Sequence, residues 1–437
     1  MPAKTEVPGQ LREWPAWQEY GLKDRSAEAE YLDAKRAVIE EYGQEKLTKG
    51  WIRVCEQLAK ITEEIIQQGN EIIPVCSAET LQKGFSSEEE ARIKKTGCVI
   101  VRGVIPEEEA RKQYNEVHKY IHDNMDTIRA WPEDSPYMYE LYDSPMQNAI
   151  RSHENHLKIH RLMNELWHDK SGETTPDPLI FYDGVRDRPP KQTFLGLGPH
   201  IDAGSLSRWA SPDYRIVYDS IFSGNPEKHD AWNLDIRKDA AQDFFKAPPH
   251  SAVFRSFQGW TALTPSRARE GCILLYPNIQ ASIAYMVLRP FFNPPKDEAD
   301  IMDATKWTFA DSGCEFPGTD KEQSQYLSRS SHPHLRLREC LMHVPDIQPG
   351  DTVWWHTDLC HAVDTEHEGV NNSSVVFIPA APSTARNKAY VKRQLADVLA
   401  GRQPSDFQGT VNEKLLKGYK GHEGFSEEAR KAFGYYL

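Results

Sequence analysis

The chain has 437 residues, of which 39% are hydrophobic and 10% aromatic, and its formal net charge is −13. This composition supports a large buried core and argues against disorder for most of the chain. Acidic and basic residues are interspersed, so the negative charge argues against nucleic acid or an anionic membrane as the main partner. No apolar run approaches 18 residues, and we expect no membrane-spanning segment.

The N-terminus and the cysteines bear on the cellular compartment. Residues 1–6 lack the apolar stretch of a secretory signal. The seven cysteines are scattered and form no C-x-x-C motif, which favours reduced, buried thiols. We therefore expect a cytoplasmic protein.

Helices dominate the predicted elements of the first 170 residues. Residues 27–43 and 50–68 have helical composition and spacing, and each run ends at a glycine. A short apolar strand is expected over 98–101. The helix predicted for 106–124 begins with a proline and three glutamates, which suit a helix N-terminus. Residues 145–170 are also expected to be helical.

From about residue 178 to 382, short strand-like runs alternate with Gly, Pro and Asp turns, which is typical of a sandwich or barrel. The predicted strands are 179–182, 193–202, 252–263, 271–276, 282–288, 351–355 and 374–378. Helices are expected again over 386–401 and 427–433. The sequence contains no internal repeat.

The first motif with possible chemistry is His-x-Asp, formed by His200 and Asp202. On an extended strand these two side chains point to the same face. Together they make two-thirds of the 2-His-1-carboxylate triad that holds non-haem Fe(II). The nearby Gly196-x-Gly198 pair does not indicate a dinucleotide site, since a third glycine is missing and Pro199 follows.

The second motif lies in the stretch 350–363, where a Pro-Gly-Asp turn leads into an apolar strand. This stretch supplies two further histidines, His356 and His361. A barrel can bring a distant strand beside His200. On chemistry alone, either histidine can complete the triad.

These motifs resemble a known group of enzymes. The His-x-Asp pair, followed by Gly-Asp-x-Val-x-x-His-x-x-x-x-His, resembles Fe(II)/2-oxoglutarate-dependent oxygenases of the phytanoyl-CoA hydroxylase-like group. The segments 258–263 and 270–277 are similar to a pair of strands in that group. With 199–205, 254–263 and 378–382, the chain more closely resembles the DUF1479 family.

The resemblance implies a fold and an activity. The expected fold class is α+β with a mainly β core, a double-stranded β-helix (cupin-like jelly roll). Its parts are an N-terminal helical extension over 1–94, the oxygenase core over 95–385, and a C-terminal helical segment over 386–437. The implied reaction uses Fe(II), 2-oxoglutarate and O₂ to oxidise a small organic metabolite, by hydroxylation, desaturation or cyclisation, and releases succinate and CO₂.

The resemblance also implies which residues act. In that pattern His200, Asp202 and His361 bind the metal and are the catalytic residues, while His356 is a neighbour. The pattern places an arginine about eleven residues after the last histidine, to bind the distal carboxylate of 2-oxoglutarate. This chain has Asn372 near that position.

Another cation must then bind that carboxylate, because a buried carboxylate without a partner is costly. Arg255 is the first choice for this role. Gln258, Trp260 and Ser374 are the further residues expected to bind the co-substrate. The competing cations are Arg186, Arg188, Arg289 and Arg386.

Two other hypotheses for the function remain open at this point. One is a cupin-type metal isomerase or hydrolase that uses the same triad without O₂. The other is a metal-dependent small-molecule binding protein without catalysis. All three readings expect a small-molecule ligand, and neither the substrate nor the oligomeric state follows from the sequence.

Overall fold

The computed structural model describes residues 7–21, 28–192, 196–202, 204–407 and 409–437. Its helices are α1 Ala29–Tyr42, α2 Gln44–Gln68, α3 Ser87–Thr96, α4 Glu107–Asp123, α5 Pro145–Arg151, α6 Glu154–Glu165, α7 Ser207–Ala210, α8 Pro212–Arg215, α9 Asp219–Phe222, α10 Leu234–Arg237, α11 Ile279–Leu288, α12 Leu337–Cys340, α13 Ala385–Leu399 and α14 Glu427–Ala432.

The strands are short. They are β1 Val75–Ser77, β2 Cys98–Arg102, β3 Ala130–Trp131, β4 Met138–Tyr139, β5 Val185–Arg188, β6 Leu197–Ile201, β7 Phe257–Ala262, β8 Ile273–Leu275, β9 Phe292–Asn293, β10 Thr308–Phe309, β11 Gln325–Tyr326, β12 Met342–His343, β13 Thr352–His356, β14 His361–Val363 and β15 Ser373–Phe377.

Two sheets form the centre of this mixed α/β fold. The larger has eight strands in the order β1-β2-β13-β7-β15-β5-β4-β3, and the smaller has five in the order β11-β6-β14-β8-β12. Within these sheets only the β1–β2 pair is parallel. From β5 onward the chain crosses repeatedly between the sheets, so residues distant in sequence become neighbours. The hairpin β9–β10 stands apart.

Local sequence explains where key elements begin. Helix α3 has a capping box, in which the side chains of Ser86 and Glu89 each accept a hydrogen bond from the other's backbone N–H. The turn before β13 requires glycine, since Gly350 has φ +89° and an added Cβ would lie 1.9 Å from the Ile105 carbonyl oxygen. The Asp351 carboxylate then accepts from the Gly103 N–H at 2.9 Å, which fixes β13 beside β2.

One hydrophobic core joins the N-terminal helices to the two sheets. Trp51 of α2 is fully buried and stacks on Phe292 and Tyr285, with ring centroids 4.5 and 5.2 Å apart. In the C-terminal part of the chain, the Gln394 side chain of α13 accepts from the Tyr182 N–H and donates to the Ile180 carbonyl. The domain boundaries at 94/95 and 385/386 stay a prediction.

Most predicted elements are confirmed within a few residues, and two are wrong. Residues 282–288, expected to be a strand, belong to helix α11. The residue before this helix, Asn278, caps it, because its side chain accepts from the Ala281 N–H at 3.0 Å. Residues 179–182 form no strand. The predicted strand over 193–202 lies partly outside the described residues, and its described part contains β6. No helix in the described part of the chain is both long and apolar enough to cross a bilayer.

Candidate metal centre and its cavity

Because the chain crosses repeatedly between the two sheets, the predicted metal ligands come together on the smaller sheet. His200 lies near the end of β6, Asp202 directly follows that strand, and His361 begins β14. His361 is the antiparallel partner of His200 in the ladder. One ligand atom from each of the three residues lies within 4.8 Å of the others. The residues therefore have the proximity that a shared metal ion requires.

The orientation of both imidazoles is set by backbone carbonyls. Nδ1 of His200 lies 2.8 Å from the Gly198 carbonyl oxygen, and Nδ1 of His361 lies 3.0 Å from that of Leu359. A carbonyl oxygen can only accept, so each Nδ1 carries the hydrogen and each neutral imidazole has its lone pair on Nε2. This is the tautomer that binds a metal through Nε2.

Both Nε2 atoms face the same carboxylate. Nε2 of His200 lies 3.1 Å from Oδ1 of Asp202, and Nε2 of His361 lies 3.6 Å from Oδ2. With neutral imidazoles, three groups that only accept hydrogen bonds converge on one point. A divalent metal at that point would satisfy all three groups, and the residues present fit such an ion.

The pKa values in the centre follow from this packing. Burial, and then the neighbouring His200, lower the pKa of His361 to about 4. Burial acts to raise the pKa of Asp202, but His361 and His200 outweigh it and hold that pKa well below its usual range. The neutral imidazole and the ionised carboxylate are the forms that bind metals.

His356, the other candidate from the second motif, lies elsewhere. Its Nε2 is 3.0 Å from the Ala231 carbonyl oxygen and its Nδ1 accepts from the Asp358 N–H at 3.0 Å. Its ring stacks on Trp167, with centroids 4.8 Å apart. Both nitrogens are thus occupied, and His356 is a packing residue behind the centre.

The metal centre opens into a cavity of about 390 Å³ between the two sheets. This volume is in the range of small-molecule sites. The walls contain the predicted residues Gln258, Trp260 and Arg255, together with Trp355, whose ring centroid is 5.1 Å from that of His361. Sequence reasoning missed the following lining residues: Trp131, Tyr137, Phe181, Asp183, Phe377, Asp406 and Phe407.

Ser374 is not among the cavity-lining residues. Side chains alternate along β15, and Phe377 lines the cavity, so Ser373 shares its face while Ser374 points to the other side. The Ser374 N–H donates to the Thr264 hydroxyl at 2.9 Å. The expectation that Ser374 contributes to co-substrate binding therefore has no support from its position.

Two arginines, Arg186 and Arg188, point into the cavity from β5. They pair with Val375 and Ser373 at the start of β15, close to where the resembling enzymes carry their arginine. Nη1 of Arg188 donates to the Asp364 carbonyl at 2.6 Å. Arg-x-Arg on a strand places both side chains on one face, a signal that the sequence contained.

The other predicted cations have different positions. Arg255 precedes β7 by two residues and does not lie on that strand, although it lines the cavity. Arg289 is buried against Trp307, with its guanidinium carbon 4.6 Å from the ring centroid. Arg386 donates to the Ala240 carbonyl at 3.0 Å. Neither Arg289 nor Arg386 is a lining residue.

A buried ionic cluster ties the two ligand-bearing segments together. The Asp358 carboxylate, three residues before His361, accepts from Arg208 and Arg237 at distances of 2.8–2.9 Å. Arg208 lies on α7, shortly after Asp202. The hydroxyl of Tyr218 also donates to this carboxylate, at 3.1 Å. Since all four side chains are buried, their mutual pairing is what makes the cluster tolerable.

The model of the Gig2-like family matches residues 25–435 of this chain. The chain belongs to the Gig2-like family. A curated relative, the uncharacterized protein YbiU of Escherichia coli (strain K12), is 32% identical over 359 residues, which cover 78% of this chain and 80% of YbiU.

Two solved structures extend this result to the fold. GlcNAc Inducible Gene 2, GIG2 (DUF1479), from Candida albicans has a TM-score of 0.84 and 25% identity, and the match covers 95% of this chain and 90% of that one. A protein of Salmonella typhimurium LT2, provisionally described as an oxidoreductase, has a TM-score of 0.79 and 28% identity, with 98% and 99% covered. The resemblance to the DUF1479 family is confirmed.

Proposed function

We propose that this Gig2-like protein is a non-haem Fe(II)/2-oxoglutarate-dependent oxygenase that oxidises a small organic metabolite and releases succinate and CO₂. The observation that carries the proposal is the convergence of two Nε2 lone pairs and the Asp202 carboxylate on one point. Two histidines and one carboxylate are the donor set of this enzyme class, and they leave positions on the metal for other ligands.

The order of the strands supports the same assignment. The strands β5-β15-β7-β13 are consecutive in the larger sheet and β6-β14-β8-β12 in the smaller, and residues of both sheets line the cavity. A double-stranded β-helix would have two four-stranded sheets of this kind. In this interpretation residues 95–385 form the jelly roll, and residues 1–94 and 386–437 are helical elaborations. The His-x-Asp strand and the strand of the last histidine are then neighbours by topology.

The bound iron would supply O₂ activation coupled to the oxidative decarboxylation of 2-oxoglutarate. The protein's own contribution would be to hold the metal with His200, Asp202 and His361 and to line part of the cavity with apolar side chains. Trp260 and Trp355 are almost fully buried and line the cavity from strands of the larger sheet. Their rings exclude water from the place where the substrate must lie. Gln258, on the same strand as Trp260, offers a hydrogen bond to the co-substrate.

We assign the distal carboxylate of 2-oxoglutarate to Arg186. Its side chain is buried, its Nη2 donates to the Ser373 hydroxyl at 3.2 Å, and no carboxylate of the described residues lies within 4.0 Å of its guanidinium. Burial lowers its pKa to about 10, which reflects the cost of an unpaired buried charge. A ligand carboxylate would offset that cost. Arg255 remains the competing candidate for this role.

The metal assignment is tested by anaerobic reconstitution. With Fe(II) and 2-oxoglutarate, the wild-type protein should develop a weak visible absorption band, and admission of O₂ should release succinate. His200→Ala, Asp202→Ala and His361→Ala should each lose bound iron and succinate formation. His122→Ala is the control, because His122 is exposed on α4 and has no place in the site.

The outcomes also separate the competing functions. Iron loss in His122→Ala, or full iron binding in His361→Ala, would contradict the assignment of the triad. A wild-type protein that binds metal but forms neither the band nor succinate would favour a redox-neutral metal enzyme or a binding protein. His356→Ala should retain bound iron, because both nitrogens of His356 contact the protein itself.

A further inference from the structure

Arg255 is a cavity-lining cation that has no role once 2-oxoglutarate is assigned to Arg186. Its guanidinium carbon lies 5.3 Å from the centroid of the Phe181 ring, a cation–π contact that holds the side chain in place. No acidic group of the described residues lies within 4.0 Å of its guanidinium. A positive charge is thus fixed in the wall of the cavity and left available for a ligand.

Arg255 reaches the cavity from the segment before β7, whereas Arg186 and Arg188 reach it from β5. Arg188 pairs with Ser373 at the start of β15, whereas the Ser256 N–H, next to Arg255, donates to the Ala380 carbonyl at 2.8 Å. Arg186 pairs with Val375, and Val375 and Ala380 are five residues apart along the chain, which is at most roughly 17 Å at about 3.3 Å per residue. If Arg186 binds the distal carboxylate of 2-oxoglutarate, Arg255 is left for a second anion.

The surroundings of Arg255 differ from those of Arg186. Around Arg255 the lining is largely aromatic, with Phe181, Phe377 and Phe407. Asp183 lines the same part, and one of its carboxylate oxygens accepts from the Gly184 N–H at 2.7 Å. Burial raises the pKa of Asp183 even though Arg255 acts to lower it, so this carboxyl is a weak counter-charge for Arg255. An anionic group beside a flat apolar body matches such a wall.

We propose that Arg255 binds the anionic group, a carboxylate or a phosphate, of the substrate to be oxidised. The apolar body of that substrate lies against Phe181, Phe377 and Phe407, between the anion and the metal centre. Arg255 is in this role a specificity-determining residue. The inference rests on the proposed function, because it requires that the metal is Fe(II) and that Arg186 binds 2-oxoglutarate.

The test uses full-length protein loaded anaerobically with Fe(II) and 2-oxoglutarate. Phenylacetate, phenyl phosphate and the neutral phenylacetamide are titrated calorimetrically as probes. Wild type should bind at least one anion about 10-fold or more tightly than the amide, as expected for a charge-assisted bidentate contact. Arg255→Met should remove that preference, and Arg255→Lys should restore part of it. Arg386→Met is the matched control outside the cavity and should keep it.

Each other result has a definite meaning. If the anions show no preference over the amide in the wild type, whether all bind equally or none binds, the inference is wrong. If Arg255→Met keeps the preference and instead weakens 2-oxoglutarate binding, Arg255 serves the co-substrate and the inference is again wrong. A wild-type protein that does not bind 2-oxoglutarate with Fe(II) refutes the proposed function itself. The stronger of the two anions identifies the chemistry of the group.

Discussion

The first prediction concerns which arginine binds 2-oxoglutarate, Arg186 on β5 or Arg255 before β7. Arg186→Met should weaken 2-oxoglutarate binding to the iron-loaded protein by roughly 10- to 150-fold, because the ligand loses a charge-assisted contact. Arg255→Met should leave this affinity within about threefold. Calorimetric titration of 2-oxoglutarate into each folded variant measures the effect. The reverse ranking would return the role to Arg255, as the sequence alone predicted.

Glu413 provides a second residue-scale prediction. Burial raises the pKa of this carboxyl to about 7, although it accepts hydrogen bonds from the Tyr142 and Asp143 N–H groups at 2.7 and 3.0 Å. The folded state thus binds a proton that the unfolded state releases from about pH 4.5 upward. Since the folded state holds more protons, this group's contribution to stability falls as pH rises from about 4.5 to 7.

As pH rises through this range, ionisation of Glu413 lowers the free energy of unfolding by at most about 1.4 kcal/mol for each pH unit. Glu413→Gln cannot ionise, so the stability of this variant relative to wild type should rise between pH 5 and pH 8. Thermal or denaturant unfolding of both proteins at the two pH values measures the difference. A difference that does not change with pH would contradict the prediction.

The sequence allowed some residues of the candidate site to be predicted and not others. The clustering of His200, Asp202 and His361 could be predicted because their spacing resembles a known pattern. Arg255 and Ser374 were harder, because a side chain's place in a cavity depends on where a strand begins and which face it presents. A shift of one residue moves a side chain to the opposite face, and Ser374 illustrates the consequence.

At the scale of elements, the cluster of Asp358 with Arg208 and Arg237 makes a prediction. Asp358→Asn leaves two buried guanidinium groups without a counter-charge and should lower the free energy of unfolding by about 3–5 kcal/mol. Replacing all three by apolar residues of similar size should cost less than the single change. Denaturant unfolding of the single and triple variants measures both effects. A triple variant less stable than Asp358→Asn would argue against this account.

Helix α11 shows which elements escape sequence reasoning. Nine of its ten residues are buried, so it lacks the polar face that would reveal a helical period, and its apolar run is compatible with a strand. The signal for a helix was Asn278, whose side chain caps the first turn. Residues 179–182 are apolar and were expected to form a strand, but they do not. Their backbone groups bond instead to Ala381, to Ala432 at the end of α14 and to the Gln394 side chain of α13.

At the scale of the whole molecule, the shared core predicts cooperative folding. Residues 1–94 contribute Trp51 and other side chains to the core of the sheets, and β1 extends the larger sheet through β2. A fragment of residues 95–437 would therefore expose a broad apolar surface. We expect it to be insoluble or unfolded, whereas the full chain should unfold in a single transition by calorimetry and circular dichroism. Two separate transitions, or a folded fragment, would support the predicted boundary at 94/95 as a true domain border.

The hydrogen bonds that orient His200 and His361 have a consequence for how this protein can change. Their acceptors are the peptide carbonyls of Gly198 and Leu359, not side chains. A side-chain acceptor can be lost by one nucleotide substitution, whereas a peptide carbonyl is present whichever amino acid is encoded. The orientation of both imidazoles therefore depends on the path of the backbone, and mutations can change the cavity walls while the geometry of the candidate metal centre is kept.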